Sequence, residues 1–189
     1  MNEKNKNGDY PLYWAISNNN IEIVKLLIEY ANQHQIILEL NKKNKDGWYP
    51  LYFAISNNNI EIVKLLIEYA NQHQIILELN EKNKLGYYPL LEAISNNNVE
   101  IVQLLIEYAN QHQIILELNE KSKYGRYPLS ETIHDNNIEI VQLLINYALQ
   151  HQIILEYDKN DFYLINKPKI KNLLQNYEKE MENRKKVIK

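Results

Sequence analysis

Asn5-Lys-Asn-Gly-Asp-Tyr-Pro-Leu-Tyr-Trp-Ala-Ile-Ser-Asn-Asn-Asn-Ile-Glu-Ile-Val-Lys-Leu-Leu-Ile-Glu-Tyr-Ala31 recurs three more times along the chain with few changes, and the rest serves as spacer, cap or tail. The glycines are Gly8, Gly47, Gly86 and Gly125, and they step by 39 residues, as do Pro11, Pro50, Pro89 and Pro128. A fixed period of that size marks a stacked repeat, in which each unit buries its apolar surface against its neighbours.

One unit reads as two helices. Gly8 supplies a turn position free to take φ > 0, and Pro11 has the preset φ of a first helical turn, so helix one starts near Pro11. Ser17-Asn-Asn-Asn20 ends it. Asn tolerates the left-handed conformation better than other non-glycine residues, which places the bend at Asn19 and the N-cap of helix two at Asn20. Glu22 then lies in the first turn, where the helix dipole favours a carboxylate. Along helix two the polar residues Glu22, Lys25, Glu29 and Asn32 form one narrow stripe. The remaining circumference, Ile21, Ile23, Val24, Leu26, Leu27, Ile28 and Ala31, is too apolar for a lone surface helix and requires neighbours on both sides.

Tyr10-Pro-Leu-Tyr-Trp-Ala15 followed by Asn20-Ile-Glu-Ile-Val-Lys-Leu-Leu-Ile28 resembles the ankyrin repeat, with its turn, Thr-Pro-Leu-His-x-Ala helix start and second helix. The resemblance covers nearly the whole chain. It implies an all-α helix-turn-helix solenoid of four stacked repeats with a C-terminal capping helix. Two features depart from the family pattern: Tyr10, Tyr49, Tyr88 and Tyr127 stand at the usual Thr, and Tyr13, Tyr52, Leu91 and Ser130 at the usual His. The period also exceeds the family's roughly 33 residues. The extra length falls in Asn32-Gln-His-Gln-Ile-Ile-Leu-Glu-Leu40, which implies a longer second helix or a longer return to the next turn.

The repeats fall at about 5–43, 44–82, 83–121 and 122–160, with a shortened cap at 161–180 and a charged tail at 181–189 expected to be disordered. The cap follows from a change of step. The Leu143-Leu144 pair recurs at Leu173-Leu174 after 30 residues, and Ile170, Leu173, Leu174, Tyr177 and Met181 form a helical apolar stripe. At the other end the first repeat has no polar cap, so its open face must tolerate water or meet a partner. Arg184-Lys-Lys186 is too short to read as a targeting signal.

Composition narrows the function classes. The formal net charge of −3 gives no global attraction for nucleic acid or acidic membranes. With no cysteine there is no disulfide, thiol nucleophile or thiolate metal site. A polar N-terminus and the lack of any membrane-length apolar run point to a cytoplasmic protein. It is separately expected to be monomeric and to need no cofactor or metal. His34, His73, His112 and His151 recur once per repeat, about 8–10 Å apart if stacked. That spacing is too wide for one ion with Zn–N bonds of about 2 Å, so they read as helix-end side chains. His134 and Asp135 lack a nucleophile. The Lys6, Lys45, Lys84 and Lys123 ladder reads as a solvated edge.

Comparison among the repeats locates the candidate site. Ile16 to Asn41 recurs unchanged from Ile55 to Asn80, and against that background the differences concentrate at four places per unit. The turn varies at Asn7, Asp46, Leu85, Tyr124 and at Asp9, Trp48, Tyr87, Arg126; helix one varies at Tyr13, Tyr52, Leu91, Ser130 and at Trp14, Phe53, Glu92, Glu131. In the ankyrin family these turns and first helices line a concave face that binds partners, so the resemblance implies a non-enzymatic protein-binding scaffold. Aromatic residues and arginine, the residues favoured at binding hot spots, make up half of the set, including both tryptophans. Trp14 and Phe53 have an equally good reading as packing between repeats, and Tyr10, Tyr49, Tyr88 and Tyr127 read as a structural ladder. A glycan-binding aromatic platform is the alternative, and an enzyme the least supported, since no nucleophile and base pair, metal set or phosphate loop is present.

Overall fold

A computed structural model of the chain describes residues 10–160 and 162–187. Each repeat is a short helix followed by a longer one. The short helices are α1 (Pro11–Ser17), α3 (Pro50–Ser56), α5 (Pro89–Ser95) and α7 (Pro128–Asp135); the long ones are α2 (Ile21–Gln33), α4 (Ile60–Gln72), α6 (Val99–Gln111) and α8 (Ile138–His151). A single turn, α9 (Phe162–Ile165), and the cap α10 (Pro168–Val187) complete the chain. No strand occurs among the described residues.

Local sequence explains each boundary. Tyr10, Tyr49, Tyr88 and Tyr127 are extended, and a proline opens the helix that follows, where a missing amide hydrogen leaves no bond unmade. Asn19 turns the chain at φ 54, as do Asn58, Asn97 and Asn136. The next asparagine caps helix two: the Asn20 side chain accepts the Ile23 amide at 3.1 Å, and Asn59, Asn98 and Asn137 do the same one repeat on. Helix two ends at a second left-handed residue, Gln35 at φ 55 and its counterparts Gln74, Gln113 and Gln152. The sequence gives little warning of this, since glutamine lacks asparagine's short local hydrogen bonds. The bond from the Ile36 amide to the Ala31 carbonyl, 2.8 Å, closes the turn.

The residues added to the family period form an extended return after helix two. Leu38 and Leu40 point into the stack and Ile37 points out. A tyrosine of the next repeat locks each return in place: the Tyr69 hydroxyl donates to the Ile36 carbonyl and accepts the Leu38 amide, both at 3.1 Å. Asn41 adds a second bridge, donating to the Ile76 carbonyl at 2.6 Å and accepting the Glu78 amide at 3.2 Å. Turns stack as well. Asn44 Oδ1 accepts the Asp46 and Trp48 amides, and the Lys84 amide of the next turn donates to the Asp46 carbonyl at 3.1 Å. Gly47 is required here, with φ 84 and a Cβ position only 3.0 Å from Asn83 Cα.

The cap imitates a fifth repeat. Ile170, Leu174, Tyr177 and Met181 are buried against the stack, as their periodicity predicts, and the Tyr177 hydroxyl donates to the Ile153 carbonyl at 2.6 Å and accepts the Leu155 amide at 3.0 Å. Residues 188–189 lie outside the described residues, and the disordered tail expected at 181–189 is corrected for 181–187, where α10 continues through Val187. Met181 anchors it, Arg184 donates to the Leu149 carbonyl at 2.8 Å, and Arg184, Lys185 and Lys186 oppose the negative end of the helix dipole. No helix among the described residues is long and apolar enough to cross a membrane.

Candidate functional site

The variable positions divide into three environments once the helices stack. Tyr13, Tyr52 and Leu91 are buried, which corrects their assignment to a contact surface. Helix one turns this position toward the next repeat, where the Asn44 amide bonds the Tyr13 hydroxyl and the Asn83 amide bonds that of Tyr52 at 3.1 Å. Variation there swaps one buried side chain for another. The Tyr52 hydroxyl also donates to Glu92 at 2.6 Å, so burial, and then this carboxylate, hold it protonated far above the usual phenol range.

Trp48, Phe53 and Tyr87 are half-buried and pack against the core. Trp48 lies 4.6 Å from Phe53 between ring centroids and 4.9 Å from Tyr52, and Phe53 meets Tyr13 edge-on at 4.5 Å. The four rings form one cluster across repeats one and two. The assignment of Trp48 and Tyr87 to a contact surface is therefore corrected in part: each is half-buried, with one side packed against the core.

Trp14 is 55% exposed and Tyr124 67% exposed. Leu85, Asp46 and Arg126 are exposed too. Asp46 pairs with Lys84 at 3.2 Å, and Arg126 with Glu131 at 3.2 Å. The Asp46–Lys84 pair is exposed on both sides and contributes little to stability, whereas the Glu131 side chain is mostly buried beneath Arg126. Ser130 is spent locally, its hydroxyl accepting the Tyr127 amide at 3.0 Å and donating to the Tyr127 carbonyl at 2.8 Å. Asn7 and Asp9 lie outside the described residues.

The surface changes character along the stack. Trp14, Trp48 and Phe53 make repeats one and two aromatic, whereas in repeats three and four Glu92, Arg126, Glu131 and His134 add charge beside Leu85, Tyr87 and Tyr124. At that end a cavity of about 230 Å³ is lined by Arg126, Ser130, Glu131, His134 and Tyr163. Sequence reasoning missed this cavity because Tyr163 arrives from α9, a single turn whose docking on α7 has no periodic trace. His134 bonds Asp135 at 2.8 Å and meets the Tyr163 ring at 4.9 Å. The other histidines end their helices: His73, His112 and His151 bond Asn32, Asn71 and Asn110 of the preceding repeat at 2.8–2.9 Å. Among the described residues no group of three or more potential ligands could hold a metal ion.

Stacked helix pairs, glycine-bearing turns and a variable face on turns and first helices define a helical repeat solenoid of the binding-scaffold class. The family model for ankyrin repeats (3 copies) matches residues 1–76 and 72–153. The chain belongs to the ankyrin repeat family, whose members are generally protein–protein interaction modules and typically not enzymes. Among curated proteins none matches the sequence.

Proposed function

We propose that the chain binds another protein through the exposed part of the variable strip: Trp14, the outer faces of Trp48, Phe53 and Tyr87, then Leu85, Tyr124 and Arg126. The observation that carries this reading is the exposure of Trp14 and Tyr124, large aromatic side chains left in water at positions where otherwise near-identical repeats differ. The backbone-bonded stack beneath holds these residues in place, so little ordering entropy is lost on binding. The strip suits a partner whose surface is apolar over repeats one and two and mixes apolar with polar groups over repeats three and four, where Leu85, Tyr87 and Tyr124 stand beside Arg126.

The test compares the parent with a Trp14→Ala, Tyr124→Ala double variant in an affinity capture from the source cell, followed by titration with the captured protein. Exposed residues tolerate truncation within about 0.5 kcal/mol each, so the variant is expected to melt with the parent. Loss of two anchors is expected to weaken binding by about thirtyfold or more. Equal binding by both proteins moves the site off this strip.

A further inference from the structure

The end face of the first repeat is built like the covered faces of the later repeats, and among the described residues nothing covers it. Leu26 is 62% exposed and Tyr30 47% exposed. Their counterparts show what this face fits. Tyr69, Tyr108 and Tyr147 are buried, and each hydroxyl donates to one carbonyl of the preceding return, Ile36, Ile75 or Ile114, and accepts the amide two residues on, Leu38, Leu77 or Leu116. Tyr177 does the same from the cap. Among the described residues the Tyr30 hydroxyl makes no such bond.

Three neighbours are in the same state. Asn57 and Asn96 donate to the Ile16 and Ile55 carbonyls one repeat back, whereas Asn18 folds onto Trp14 of its own helix at 2.8 Å. His73, His112 and His151 reach the preceding repeat, whereas His34 turns to its own Tyr30 carbonyl at 2.9 Å. Glu61 and Glu100 are held by lysines of the repeat before, Lys25 at 2.7 Å and Lys64 at 2.6 Å; among the described residues Glu22 has no such lysine.

We infer that this face docks the uncapped end of a partner solenoid of the same repeat type, seating an extended Ile-Ile-Leu return on Leu26 and Tyr30 and a lysine against Glu22. The later repeats of this chain show the occupant's chemistry: a carbonyl and an amide two residues apart, a helix-end carbonyl for Asn18, an acceptor for His34 and a cation for Glu22. A lone apolar peptide side chain meets none of the polar requirements, and an uncapped repeat end meets all of them at once. A second copy of this chain does not supply that end. Its own is closed by Tyr177 on Ile153 and Leu155, and by Lys167, which donates to the Ile133 and His134 carbonyls. Residues 1–9 hold no apolar residue except Met1, so their sequence lacks the required segment.

The test titrates the full chain with a synthetic peptide, blocked at both ends, carrying the sequence of residues 31–41. Backbone NMR shifts are expected to saturate near about 1 mM and to map to α1 and α2, with no response to a scrambled peptide. Leu26→Glu, at an exposed position that leaves the fold intact, is expected to abolish binding, and Tyr30→Phe to weaken it roughly three- to tenfold. No saturable binding, or binding undiminished by Leu26→Glu, overturns the proposal. Sedimentation of the full chain supplies the other arm: a dimer that Leu26→Glu dissolves would make a second copy the occupant and overturn the proposal too. The Trp14 and Tyr124 variant tests a different face, so the two readings fail separately.

Discussion

At the scale of single residues, tyrosine hydroxyls do much of the joining between repeats. Tyr108 is buried, and its hydroxyl bridges the Ile75 carbonyl and the Leu77 amide at 3.2 and 3.1 Å. Tyr108→Phe keeps the ring and leaves both backbone groups without a partner, which typically costs about 1–3 kcal/mol per buried group. Tyr30→Phe is the matched control, because the hydroxyl it removes makes no such bridge among the described residues, and it is expected to leave stability unchanged. Urea denaturation of the two variants checks this, and equal midpoints would show that the bridges carry no net energy. Little of this was legible beforehand, since a tyrosine once per repeat in an aliphatic helix looks like ring packing. The contact surface was read with a similar error. Variation among repeats marked Tyr13, Tyr52 and Leu91 beside Trp14 and Tyr124, yet duplicated units diverge in their cores as well as on their surfaces. Sequence difference alone does not separate a buried Leu91 from an exposed Tyr124.

At the scale of elements, boundaries were legible wherever a residue type has one dominant backbone use. Proline opened the short helices, asparagine bent the chain and the following asparagine capped the long helix, all as the sequence indicated. The cap also links repeats: Asn98 accepts the Ile101 amide at 2.9 Å and donates to Asn58 at 2.6 Å. Asn98→Ala is expected to destabilise the protein by about 1–2 kcal/mol, toward the upper end for a cap because a bond between repeats goes with it. A thermal melt of the variant superimposing on the parent would show that water replaces both bonds. The helical tail was not legible, because Glu178 to Lys189 looks too charged to order. What orders it is tertiary. Met181 is buried on the stack, and Glu178 joins α10 to the preceding loop through Lys159 at 2.7 Å and the Tyr157 hydroxyl at 2.7 Å. Lys159, and with it Tyr157, holds the Glu178 carboxyl below its usual range despite an opposing effect of burial.

At the scale of the whole molecule, stability depends on pH through the tyrosines and on length through the repeats. Burial, with Glu81 and Glu78 near Tyr49, Glu92 bonded to Tyr52, and Glu117 and Glu120 near Tyr88, raises these hydroxyls above the ordinary value of 10.0. Above that pH the unfolded chain binds fewer protons than the folded one, so stability is fully present below it and falls as pH rises toward the folded values. The expected record is a falling Tm above about pH 10, with the tyrosinate absorbance of these buried hydroxyls appearing only together with loss of helical signal. Smooth ionisation of these tyrosines with the helices intact would contradict it. Length acts differently, because the main helix contacts join only helices of the same or adjacent units. Deleting residues 44–82 therefore brings matching partners together: Asn83 meets the Tyr13 hydroxyl in place of Asn44, Asn96 meets the Ile16 carbonyl in place of Asn57, and Tyr108 meets Ile36 and Leu38 in place of Tyr69. Lys25 finds Glu100 where it had Glu61. The shortened chain is expected to keep its helical content per residue and to unfold with a smaller denaturant m-value and lower stability, since less surface is buried. Deleting one residue fewer displaces every one of these bridges by one position across the new junction, and that chain is expected to lose much more stability than the in-register deletion. Circular dichroism with urea titration on the two deletions decides the matter. Equal stability would mean that apolar contact alone holds neighbours together, whereas loss of helix in the in-register deletion would reveal contacts longer than one repeat.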